Sequence, residues 1–131
     1  MPFTVDERFI LQAEEKLGVK FPTSFREKMM ENNGGEVETP PGAWNLYPFF
    51  DTSDKKRIKR TSNDIVRENT IAQEWQNFPK DAIAIGSNGY GDQLIFIKSS
   101  NDPLKLNNSV FWWDHETGNI NKVADDFNEI K

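Results

Sequence analysis

From residue 82 to residue 123 the chain carries four short runs, 82–85, 93–98, 110–114 and 120–123, separated by stretches rich in Gly, Asn, Asp, Ser and Pro. The runs are dominated by β-branched, aromatic and other apolar residues. Short apolar runs joined by turns pair with their neighbours in opposite directions, so this half of the chain is predicted to form an antiparallel meander. Whatever else the chain contains must pack on that sheet.

The N-terminal half reads differently. Thr4-Val5-Asp6-Glu7 has the form of a capping box, in which Thr4 accepts from the backbone at Glu7 and Glu7 reaches back. Phe9, Ile10, Ala13 and Leu17 then recur at helical spacing, and Gly18 follows as a left-handed terminator. Phe21-Pro22 breaks the chain, and Thr23 or Ser24 is placed to cap a second helix carrying Phe25 and Met29, which Asn32-Asn33-Gly34-Gly35 ends. Helices joined so closely lie together, which predicts a helical hairpin with a seam of Phe9, Ala13, Leu17, Phe21, Phe25 and Met29. Residues 44–50 are expected to form a strand, with Pro48 at a bulge or edge. A middle helix is expected after Ser62-Asn63, with Ile65, Val66, Ala72 and Trp75 facing inward and Phe78-Pro79 as its stop. Two acids at 125 and 126 suit the start of a short closing helix. The fold class is therefore α+β: one domain over residues 1–131, with an N-terminal helical hairpin and further helices packed on a mainly antiparallel sheet.

Composition limits the chemistry open to such a domain. A content of 36% hydrophobic and 12% aromatic residues suffices for a globular core. The absence of cysteine excludes disulfides, cysteine-zinc sites and a thiolate nucleophile. With no signal pattern and no long apolar run, a cytoplasmic protein without membrane contact is expected. The net charge of −5 argues against direct nucleic-acid binding, which draws on Lys and Arg, and suits a basic partner. Five of the 16 basic residues lie within 55–60, which leaves 11 against 21 acidic residues elsewhere, so a local basic patch is expected on an acidic body. That run reads as a mobile, solvated loop.

Each candidate for catalysis fails on context. Ser87-Asn88-Gly89-Tyr90-Gly91-Asp92 has the glycine spacing of a phosphate cradle, but a strand-like run, Gln93-Leu94-Ile95-Phe96-Ile97, follows it instead of a helix, and no Lys stands in place. The glycines are read as corners of a hairpin. His115 is the single histidine. On a continuing strand Asp114 and Glu116 would face away from it, so no shared metal site is expected, and His115 reads as a solvated turn residue. No Gly-x-Ser-x-Gly elbow is present. The chain is not expected to be an enzyme or to carry a cofactor. Adjacent Trp112 and Trp113 face opposite sides of a strand, so one is expected inside and the other on an outer surface, where it could anchor a partner.

Several stretches in order resemble the SUKH superfamily, the Smi/Knr-like group: Leu17-Gly18, Phe21-Pro22 and Phe25 with their neighbours, Asn32-Asn33-Gly34-Gly35, the loop closing on Gly91-Asp92, the strand 110–116 ending in acids, and 123–127. The region from Lys55 to Asn77 does not match. The resemblance implies an α+β domain without catalytic residues. For bacterial members it implies an immunity protein that binds and neutralises a cognate polymorphic toxin, often a basic nuclease domain, by stoichiometric occlusion. The alternative it implies is a non-catalytic regulatory or scaffold protein of the fungal cell-wall type. Carboxylates standing in for phosphates would suit the first role. The partner-binding patch is expected to combine Tyr90, Asp92, Trp112, Trp113, Asp114 and Glu116, with Trp44 and Asp51 nearby.

Overall fold

In the computed structural model, which describes residues 3–130, the chain runs α1 (Glu7–Leu17), α2 (Thr23–Glu31), β1 (Gly35–Thr39), β2 (Gly42–Leu46), α3 (Lys55–Arg60), α4 (Ile65–Ala72), β3 (Ala82–Ser87), β4 (Gln93–Ile97), β5 (Val110–Trp113) and β6 (Ile120–Ala124), and ends in a 3-10 turn, Phe127–Glu129. The six strands form one sheet in sequence order, each antiparallel to its neighbours. The α+β class and the meander are as expected. No helix among the described residues is long and apolar enough to cross a membrane.

Local chemistry sets the helix ends. Asp6, not Thr4, caps α1: its side chain accepts from Arg8 N at 2.9 Å, while Gly18 terminates the helix at φ 72. Pro22 occupies the N-cap of α2 and no side chain caps it, so the expected role of Thr23 or Ser24 is not seen. A polar clasp ties α1 to α2, and α1 also lies against α4. Arg26 reaches Glu7 at 2.9 Å and Glu14 at 3.4 Å, and buried Glu14 accepts from Phe21 N at 2.8 Å. Phe25 packs on Phe96 of β4 at 5.3 Å and on Phe127 at 5.0 Å, so the centre of the core lies between α2, the sheet and the C-terminal turn.

Three regions depart from the sequence reading. The strand expected over 44–50 stops at Leu46, and Pro48 lies beyond it, its carbonyl accepting from Ile65 N at 2.8 Å. Its partner β1 begins at the last residue of the expected helix terminator and runs through residues to which the sequence reading assigns no element, since only Val37 of its five residues is buried and no apolar pattern marks it. The basic run is a helix: Asp54 caps it through Arg57 N at 2.8 Å and pairs with Arg57 Nη1 at 2.6 Å, and Asp51 lies 3.5 Å from Arg57 Nε. The guanidinium carbons of Arg57 and Arg60 sit 4.4 and 5.1 Å from the centre of the Phe3 ring.

The middle helix α4 starts at Asp64, whose carboxylate accepts from both Val66 N and Arg67 N at 3.0 Å. Trp75 lies past its end and is 38% exposed rather than inside. β2 pairs with β3 only at Asn45–Ser87 and Leu46–Gly86, so part of the β3 edge has no strand beside it. Asn69 takes that place. Its side chain accepts from Ala84 N at 2.7 Å and donates to Ala84 O at 2.8 Å, and Gln73 one turn on donates to Ala82 O at 3.3 Å. A helix thus satisfies backbone groups that a strand would otherwise pair.

Candidate functional site

The β3–β4 and β5–β6 turns emerge at the same end of the sheet, because each joins neighbouring strands of a meander. Ser87 Oγ accepts from Gly89 N at 3.1 Å and Asn88 Oδ1 from Tyr90 N at 2.9 Å, while Gly89 and Gly91 take φ of 83 and 107. This corner projects Tyr90, 82% exposed, from the tip. The facing turn is organised by Asp114, whose side chain accepts from Glu116 N at 2.9 Å and whose carbonyl accepts from Gly118 N at 2.7 Å.

Gln93 pairs with Trp113, so Asp92 falls one residue beyond the ladder, beside the facing turn. There it accepts from four donors: His115 N at 3.0 Å, His115 Nδ1 at 2.5 Å, Trp112 Nε1 at 3.0 Å and Asn88 Nδ2 at 3.3 Å. Burial pushes the Asp92 carboxyl up, but the donors of His115 and Trp112 outweigh it and hold the group below the usual carboxylate range. The hydrogen bond to Asp92 in turn raises His115, and Glu116, 4.0 Å from His115 Nε2, adds to the effect. The strand ends at Trp113, so the alternation that would separate His115 from the acids does not extend that far. His115 folds back over the corner instead: a Cβ on Gly91 would stand 2.9 Å from the imidazole. It is therefore exposed, as expected of a turn residue, but tied to Asp92 rather than free.

Beside this network lies a shallow cleft of about 270 Å³ lined by Trp75, Gln76, Gly91, Trp113 and His115. Trp75 stacks on Trp113 with centroids 6.0 Å apart and planes 8° from parallel, and Phe78 meets both rings edge-on. Asn77, at φ 70, brings its carbonyl to Trp113 Nε1 at 3.2 Å and so fixes the segment that carries Trp75.

The structure gathers Tyr90, Asp92, Trp112, Trp113, Asp114 and Glu116 at this one end. Trp113 is inside, 1% exposed, while Trp112 is half-buried on the other face with its indole N–H on Asp92. Trp44 and Asp51 are closed to solvent, each 2% exposed, although Trp44 stands on β2 next to Asn45, the partner of Ser87 at the corner. Trp44 donates to Thr39 within the β1–β2 hairpin, and Asp51 accepts from Ser53 and faces Arg57. Sequence reasoning passes over His115 and Trp75 as members of this site. The imidazole finds its carboxylate 23 residues away, and the indole is indistinguishable in sequence from a core aromatic. Asp92, Asp114 and His115 each offer one atom within 4.8 Å of the others, but the Asp92 oxygens already serve four donors, so the cluster reads as a hydrogen-bond network.

Comparison with protein-family models matches residues 4–130 to the SMI1 / KNR4 family (SUKH-1). No curated protein and no solved structure matches the chain.

Proposed function

The chain belongs to the SMI1/KNR4 (SUKH-1) family, and from that premise we propose that it is an immunity protein, one that binds a cognate polymorphic toxin and blocks it by occlusion without catalysis. The observation that carries this reading is the family match over nearly the whole chain. The charge balance supports it, since an acidic protein is drawn to a basic nuclease domain and its carboxylates can occupy a groove meant for phosphates. The contact surface in this reading is the end of the sheet that presents Tyr90, Trp112, Asp114 and Glu116. Asp92 holds that surface together from behind, and buried Trp113 supports it. Trp44 and Asp51, closed to solvent, shape the scaffold.

Co-expression with the toxin domains encoded beside its gene tests the proposal. At least one should be rescued from toxicity and should co-purify in stoichiometric complex. If no adjacent toxin is bound, or if the chain instead captures a housekeeping protein of its own cell, the immunity reading falls and the regulatory one replaces it.

A further inference from the structure

We propose that the cleft between Trp75 and His115 receives an arginine side chain of the protein partner, an assignment that rests on the partner-binding reading and names its anchor. The cleft offers aromatic surface that is held by its neighbours: Trp75 packs against both Phe78 and Trp113, which also touch each other, yet remains 38% exposed and lines the opening. A fixed, accessible indole face is the preferred seat of a cation, and a guanidinium stacks on it better than an ammonium does.

Charge complementarity selects that occupant over an apolar one. Asp114 and Asp92 lie with His115 in one cluster, and Glu116 stands 4.0 Å from His115 Nε2. Of these groups only His115 lines the cleft, but even with it protonated the three carboxylates gathered around it leave this end of the sheet net negative. Asp92 is saturated by its four donors, but Glu116 is exposed and free to meet the outer guanidinium nitrogens. Gly91 keeps the floor open, since any side chain there would meet the His115 ring. An arginine entering here would stack on Trp75 and turn its donors toward Glu116. Central aromatic and arginine anchors of this kind carry most of the free energy in protein interfaces.

The test uses the full chain with nitrogen-15 label and a short arginine-containing peptide as probe, against the same peptide with citrulline, which keeps the shape and removes the charge. The four indole N–H signals report separately. Those of Trp75 and Trp113 should shift with the arginine peptide while that of Trp44, buried in another hairpin, stays still. The citrulline peptide should bind at least about tenfold more weakly. Trp75→Ala should abolish the shift at Trp113, Trp75→Phe should restore it in part, and Glu116→Gln should weaken it. Equal binding of the two peptides, shifts spread over all four indoles, or a Trp75→Ala protein that binds unchanged would each overturn the assignment. The toxin reading fails separately. A toxin bound equally well by wild type and Trp75→Ala would leave immunity standing and overturn this anchor, whereas a cleft that takes the peptide in a chain that rescues from no toxin would leave the cleft without that partner.

Discussion

His115 and Asp92 form the contact on which the candidate surface depends, and their titration gives it a pH signature. His115 is held above its ordinary value of 6.5 and Asp92 below its ordinary 3.8. A raised histidine stabilises the fold fully below its unfolded value and loses that contribution as pH rises through the folded one. A depressed carboxylate stabilises above its unfolded value and loses its contribution as pH falls through the folded one. The pair should therefore contribute most between about pH 4 and 6.5. Urea unfolding of wild type and His115→Gln should show a gap that is widest near pH 5 and narrows by pH 9. A gap independent of pH would mean that the imidazole acts only as a neutral donor. The corner itself is legible in the sequence, because Gly89 and Gly91 occupy positive φ and their spacing before a strand-like run betrays a turn. Its depth is not. By its place in the loop Asp92 reads as an exposed contact residue, yet it is 9% exposed and engages groups 20 and 23 positions away, which no local spacing encodes. Truncating it to Ala would strip four donors of their acceptor, so loss of binding by that variant would report on the scaffold as well as on the surface.

Elements are readable wherever burial leaves a period in the sequence. β3 and β4 are short apolar runs bounded by turn residues and α1 repeats its apolar residues at helical spacing; the structure places these, and β5 and β6 with them, within a residue or two of the expected bounds. The basic helix α3 has no buried residue at all, so no period can announce it, and it stands on its Asp54 cap and the Asp51–Arg57 pair. The join of α4 to the sheet is hidden for the opposite reason. Asn69 is a polar residue at an inward position, where the hydrophobic pattern registers only an interruption. It occupies the place of the strand that β2 fails to supply, bonding both backbone groups of Ala84. Replacing it with Leu keeps most of the volume and strands a buried N–H and C=O, each costing about 1–3 kcal/mol. Asn69→Leu should therefore lower the unfolding free energy by about 2–5 kcal/mol in a urea titration. Asn69→Asp retains an acceptor for Ala84 N but places a carboxylate beside Ala84 O, so it should be no better. A loss under about 1 kcal/mol for the Leu variant would show that water or a shifted β2 satisfies that edge instead.

At the scale of the molecule, charge and architecture divide the labour. The net charge of −5 would be more negative still without α3, which places five cations on one short helix, four of them exposed: Lys55, Lys56, Lys59 and Arg60. Of these five cations, only Arg57 pairs with Asp51 and Asp54. The acidic turns, by contrast, belong to the end of the sheet where Tyr90 and the Trp75 cleft lie. For a basic partner these features act at different stages. In the proposed role the field of the whole chain would steer the encounter, and the aromatic, hydrogen-bonded end would hold the docked state. If the immunity reading holds, association with a basic toxin should consequently slow by about tenfold or more between roughly 50 and 500 mM salt, with dissociation nearly unchanged, since steering is screened once separations exceed the Debye length. Lys55→Glu with Lys59→Glu, each changing the charge by two, takes the chain from −5 to −9. If α3 lies outside the interface, that variant should associate faster at low salt and dissociate at the wild-type rate in stopped-flow and surface-binding measurements. Slower dissociation or faster dissociation would place α3 in contact with the partner, and salt-independent association would remove electrostatic steering from the mechanism, leaving the sheet end to find its partner by shape alone.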